Sequence, residues 1–193
     1  MTATATSYPL RFDVEYPERL SRWKIFVKWL LIIPHIIVLY LLALVAYLIT
    51  FVAWLVILIT GNYPEGLFKF VVGVVRWSAN VNAYILLMRD EYPPFTMEAG
   101  HYPVTLEVDY PERLSRWLIF VKWLFVIPNL IVLMVVGLAY YVTLIIAWFA
   151  ILFTGRYPEG LFRFGVGVQR WSLRASAYSS YLFTDKYPPF SLS

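Results

Sequence analysis

The chain has no cysteine among its 193 residues. Disulfides, thiolate chemistry and cysteine-ligated metals are therefore excluded. Histidine is nearly missing as well: His35 and His101 are the only two. Neither has a second ligand at i+4, so no metal site is expected. Charged residues make up 15% of the chain, against about 25% in soluble domains. No glycine-rich phosphate loop is present, because Thr-Gly-X-Tyr-Pro-Glu-Gly lacks the Lys and the spacing. Ser21, Ser78, Ser115 and Ser172 have no histidine placed to activate them. Asp90, Glu91 and Asp185 read as solvated turn residues rather than an acid–base pair. The chain is expected to be no enzyme and to need no cofactor.

What is abundant is apolar surface. Hydrophobic residues make up 61% of the chain, and the mean hydropathy is +0.67. A chain this short cannot hide so much apolar area in one water-facing core, because small domains have too much surface per volume. The excess is expected to face lipid or other copies of the protein. Aromatics reach 19%, with 8 Trp and 15 Tyr, types that favour the membrane–water boundary. The net charge is +4. Most basic residues flank the apolar stretches, which fits an anionic lipid surface better than nucleic acid. The leading segment, Met1 to Tyr16, is polar and lacks a signal-peptide apolar region. Insertion would then be directed by the first membrane helix.

The sequence matches itself at an offset of 94. Tyr16-Pro-Glu-Arg-Leu-Ser-Arg-Trp23 recurs unchanged at Tyr110–Trp117. Thr60-Gly-Asn-Tyr-Pro-Glu-Gly-Leu-Phe68 recurs with one change at Thr154–Phe162. Roughly 45 of about 77 positions from Tyr8 to Tyr84 are identical in the second copy. Both copies close on Tyr-Pro-Pro-Phe, giving two units over 8–95 and 102–190. Turn and boundary residues are kept while apolar residues interchange. Packing against lipid asks only for apolarity, whereas turns ask for particular side chains.

Each unit opens on a period-two stretch, Leu10–Glu15 and Val104–Asp109, read as a short strand or an extended surface tail. Two such strands could pair. Pro17-Glu-Arg-Leu20 is expected to start an interfacial helix running to Ile33, with Arg22, Lys24 and Lys28 beside Trp23, Phe26 and Trp29. Pro34 and Pro128 mark a break. Ile36 to Ile59 then carries no charge, Gly or Pro. Its length, about 36 Å as a helix, exceeds a hydrocarbon core of about 30 Å. Leu130 to Phe153 reads the same way despite Gly137. Gly61 and Gly155 are placed as C-terminal caps, followed by Pro64 and Pro158. The last helices, Leu67–Met88 and Leu161–Phe183, are amphipathic. Arg163, Arg170 and Arg174 fall within about 40° on a wheel, with Lys69, Arg76 and Asn80 as counterparts. Phe164, Val168, Trp171, Ala175, Tyr178 and Leu182 form an apolar stripe.

The expected fold class is an all-α integral membrane protein with short β-strands at the start of each repeat. Each of the two tandem repeats is read as an interfacial helix, a long transmembrane helix and an amphipathic helix of open depth. If each unit crosses once, the repeats are inverted; if each crosses twice, they are parallel. Either parity places both termini in the cytoplasm by the distribution of flanking Lys and Arg.

The blocks Tyr-Pro-Glu-Arg-Leu-Ser-Arg-Trp, Val-Lys-Trp-Leu…Ile-Pro-His, Thr-Gly-X-Tyr-Pro-Glu-Gly-Leu-Phe and Tyr-Pro-Pro-Phe together resemble a bacterial membrane-protein family, domain of unknown function 4389, in two tandem copies. The resemblance covers almost the whole chain. It implies a multi-pass protein of the cytoplasmic (inner) membrane of a prokaryote and implies no activity. Asn129 departs from the Ile-Pro-His block and argues against any role needing two histidines.

The functional expectation is a non-catalytic assembly or accessory module. It would form a homo-oligomer or join a larger membrane complex, contact anionic membrane lipids and bind no nucleic acid. The lipid interface is expected at Arg22, Trp23, Lys28, Trp29, Arg116, Trp117, Lys122 and Trp123, with Arg76–Trp77 and Arg170–Trp171 as further cation–aromatic pairs. The alternative is a pore or transporter for small anions lined by the basic stripe Lys69, Arg76, Arg163, Arg170 and Arg174.

Overall fold

A computed structural model describes residues 8–193; the first seven residues of the polar leading segment lie outside the described residues. Each repeat supplies one strand and a helical hairpin. Strand β1 spans Leu10–Val14, helix α1 Lys24–Leu31, α2 Ile33–Thr60 and α3 Glu65–Ile85. The second repeat gives β2 (Val104–Val108), a single 3-10 turn at Leu118–Phe120, then α4 (Lys122–Phe125), α5 (Ile127–Thr154) and α6 (Glu159–Ser179). The fold is mostly helical, built from two tandem repeats with short strands, and α2 and α5 are long and apolar enough to cross a membrane.

Local chemistry sets the helix ends. Pro34 and Pro128 sit in the first turns of α2 and α5, where a missing N–H costs nothing. Neither can donate back to the preceding turn, so α1 and α4 end just before them. Gly61 and Gly155 close α2 and α5 in the left-handed conformation, φ 80° and 70°. Two expected boundaries are corrected. Pro17-Glu-Arg-Leu20 is not helical, because Leu20 N–H instead donates to the Gly155 carbonyl of the other repeat at 2.8 Å. The amphipathic helices stop at Ile85 and Ser179, a turn or so early; Leu87 and Leu182, at φ 64° and 57°, turn the chain instead.

The strands pair antiparallel, with Leu10 opposite Val108 and Phe12 opposite Leu106. Leu10, Phe12, Val14, Val104 and Leu106 are buried, while Arg11, Asp13, Thr105 and Glu107 face outward. Each strand packs on the helix of the other repeat: β1 on α6 and β2 on α3. The entry loops are exchanged in the same way. Leu114 N–H donates to the Gly61 carbonyl at 2.8 Å, mirroring Leu20 and Gly155. The Tyr16 and Tyr110 hydroxyls donate to the carbonyls of Tyr157 and Tyr63.

Three layers result. Along α3, Val74, Ser78 and Val81 face α2. Arg76, roughly opposite on the wheel at about 100° per residue, faces β2, and Gly73, to one side of it, faces Met97. The helices α3 and α6 thus lie between the sheet and the pair α2 and α5.

Candidate functional site

Among the described residues, the outer side of α2 and α5 is a long exposed apolar surface. A narrow stripe of α2, through His35, Ala46, Thr50, Ala53 and Ile57, is buried against α3. The opposite half of the helix is exposed and apolar, including Ile37, Leu41, Leu44, Leu48, Phe51 and Leu55. The same arc recurs on α5. In the most apolar windows of the two helices only 22% and 11% is buried. A core helix of a water-soluble domain would be covered, so this face requires an apolar neighbour.

An aromatic and basic rim borders it. Trp23 and Trp117 are 82% and 80% exposed, and Trp29 and Trp123 are exposed beside them. Arg22 and Arg116 are exposed too. These six expected interface residues are therefore all exposed, three contributed by each repeat.

Lys28 and Lys122 do not, which corrects the expectation that they meet lipid phosphates. They are 1% and 0% exposed. Lys28 Nζ pairs with Asp90 Oδ1 at 2.8 Å and donates to the Arg89 carbonyl at 2.6 Å. Lys122 repeats this with Asp185 at 2.8 Å and the Thr184 carbonyl at 2.7 Å. Tyr84 and Tyr178 lie under the two ammonium groups. Burial pushes the Lys122 ammonium below the ordinary lysine range, and Asp185 pulls the other way. Asp90 and Asp185 are therefore structural anchors rather than solvated turn residues; each also accepts from a backbone N–H, of Ser21 and Ser115. The sequence carried a signal for this. Both the lysine and the Asp-X-Tyr-Pro-Pro-Phe block survive in each copy, as one required pair would.

Trp77 and Trp171 are also interior, with 5% and 4% exposure. Trp77 Nε1–H donates to His35 Nδ1 at 3.1 Å, and Trp171 Nε1–H to Asn129 Oδ1 at 2.7 Å. The His-to-Asn change between repeats thus keeps one acceptor for one indole donor.

The basic stripe divides into two kinds of residue. Lys69 and Arg163 are exposed and pair one turn back with Glu65 and Glu159. Arg76 donates to the carbonyls of Leu106 and Met97 at 3.1 and 2.8 Å. Arg170 donates to Phe12 and Leu192 at 2.7 and 3.0 Å and also reaches Asp13. Arg174 donates to the Ser193 carbonyl at 2.6 Å and lies over the Tyr8 ring. These three arginines tie the helix layer to strands and tail segments.

A groove of about 410 Å³ opens between α1, the end of α3 and α5, lined by Ile25, Lys28, Trp29, Leu87, Tyr141 and Trp148 among others. Its lining is almost wholly apolar. In the other half of the molecule Tyr181, which follows α6, sits against α2.

A pseudo-two-fold tandem-repeat protein, layered from strands to apolar helices, is the class that this architecture defines. The chain belongs to the family described as domain of unknown function (DUF4389), which it matches over residues 22–97 and 116–191. No curated protein and no solved structure matches the chain.

Proposed function

We propose that the protein is a non-catalytic module embedded in the cytoplasmic membrane of a prokaryote, with both termini on the cytoplasmic side, where it contacts anionic lipid and assembles with itself or a larger complex. One observation carries this reading: the exposed apolar arcs of α2 and α5 bordered by Trp23, Trp29, Trp117, Trp123, Arg22 and Arg116. Tryptophan at headgroup level fixes depth, and an adjacent arginine then stands level with lipid phosphates. The two-fold repeat suits a symmetric assembly. Resistance to carbonate extraction tests the membrane assignment; release into the supernatant overturns it. Size in mild detergent or nanodiscs tests assembly; a strictly monomeric particle with no co-purifying partner overturns that part.

An anion path along Lys69, Arg76, Arg163, Arg170 and Arg174 is the competing reading. Three of those five donate to carbonyls of other segments, which supports a clamp between layers instead.

A further inference from the structure

The two strands of the sheet meet at repeat-equivalent residues. Phe12 lies opposite Leu106, and these positions differ by the repeat offset of 94. The pseudo-two-fold axis therefore passes between them. Both strands bury the same face of the sheet, so the axis cannot lie in the sheet and must stand perpendicular to it. It runs down through the helix layer and emerges between α2 and α5.

The contacts of α1 with the end of α5 imply that the long helices run antiparallel. Leu20, ahead of α1, is bonded to Gly155 at the end of α5. Phe26 in α1 packs on Trp148, 5.4 Å between rings. Lys28 and Trp29 then line one groove with Tyr141 and Leu144. Rising numbers thus meet falling numbers as α1 leads into α2. The mate contact, Trp54 on Phe120 at 5.2 Å, repeats the pattern from the other side. Two helices related by a two-fold can be antiparallel only when both run across the axis. The helices α2 and α5 therefore lie in the plane of their layer.

Polarity changes along the axis. One end is the outer face of the sheet, with exposed Arg11, Asp13, Glu107 and Asp109, and Arg11 pairs with both Glu107 and Asp109. The other end is the apolar arc of α2 and α5. If these helices crossed a bilayer, the axis would lie in the membrane plane. The charged sheet would then sit at the depth of the helix midpoints, in hydrocarbon, where charged side chains are strongly disfavoured. Tyr47 and Tyr141, both exposed and near the middle of their helices, would also sit at the bilayer centre. Tyrosine favours the boundary instead.

We propose that α2 and α5 lie flat within one leaflet, with the pseudo-two-fold along the membrane normal and the β1–β2 sheet in water, instead of crossing the bilayer. This rests on the membrane assignment made above and adds its geometry. A helix layer about 10 Å thick fits within one leaflet of a hydrocarbon core of about 30 Å. The arc of α2 turned away from α3 meets acyl chains, while its remaining surface is already covered by protein. Trp23 and Trp117, with Arg22 and Arg116, then reach the same headgroup plane from opposite ends of the molecule. All flanking cations fall on one side of the membrane, satisfying the positive-inside bias more fully than inverted crossings do.

The absence of cysteine makes the test direct. Single replacements Asn62→Cys and Arg156→Cys mark the exposed turns that follow α2 and α5. Thr105→Cys marks the outer sheet face. Each variant, in the full chain, is treated with a membrane-impermeant maleimide in spheroplasts and in inverted membrane vesicles. The proposal expects all three to label from the same side, with loss of labelling from the other. Labelling of Asn62→Cys and Arg156→Cys from opposite sides overturns the flat arrangement and establishes crossing. Carbonate extraction of the same membranes separates the two failures: a retained protein with opposite-side labelling overturns only the orientation, while an extracted protein overturns the membrane assignment itself.

Discussion

Lys28 and Asp90 form an ion pair inside the protein, 2.8 Å from Nζ to Oδ1, and the pair is rebuilt by Lys122 and Asp185 at the same distance. A buried charge left without its partner destabilises strongly, by about 3–5 kcal/mol. Asp90→Ala or Asp185→Ala should therefore cost several kcal/mol in reversible unfolding. Combining Lys28→Met with Asp90→Asn should cost less than Asp90→Asn alone, because the stranded ammonium is gone. Equal loss in the single and the double variant would mean that the pair is not coupled.

The indole acceptors at His35 and Asn129 are interchangeable by geometry. His35→Asn should be tolerated, since Asn already serves Trp171 at the equivalent site. Asn129→Leu removes the acceptor and should cost about 1–3 kcal/mol through an unsatisfied buried N–H. Thermal unfolding of both variants in one detergent checks the ordering.

The helix glycines differ in how closely other segments approach them. A Cβ on Gly167 would come 2.7 Å from the Leu192 carbonyl oxygen, whereas nothing lies within 4 Å of one on Gly137. Gly167→Ala should lower stability by about 1–3 kcal/mol through overpacking. Gly137→Ala should be neutral or slightly stabilising, by up to about 1 kcal/mol from helix propensity. Unfolding midpoints of equal size and sign would contradict the close approach at Gly167.

Lipid preference should follow the exposed cations alone. Arg22→Gln with Arg116→Gln should reduce the anionic fraction of co-purified lipid, each cation contributing about 1 kcal/mol near an anionic surface. Added salt should weaken the same preference by screening. Lys28 and Lys122 are interior, so Lys28→Met should change stability without changing lipid composition. An unchanged anionic fraction in the arginine double variant would leave the rim without a lipid role.

Much of this protein was legible in its residue order. The offset-94 repeat is visible when the sequence is compared with itself, and the apolar lengths of α2 and α5, the glycine caps at Gly61 and Gly155 and the two strands are local properties. They depend on propensity, periodicity and turn chemistry within a few residues. The partners of Lys28, Trp77 and Arg170 are not local. Asp90 lies 62 positions beyond Lys28, and the Phe12 carbonyl lies 158 positions from Arg170. Closely related repeats add a second ambiguity, because a strand that fits the helix of its own copy can also fit the equivalent helix of the other. The exchange of β1 onto α6 and of β2 onto α3 therefore had no signature in sequence. Only tertiary packing decided it, and with it the axis through Phe12 and Leu106 that separates the charged face from the apolar one.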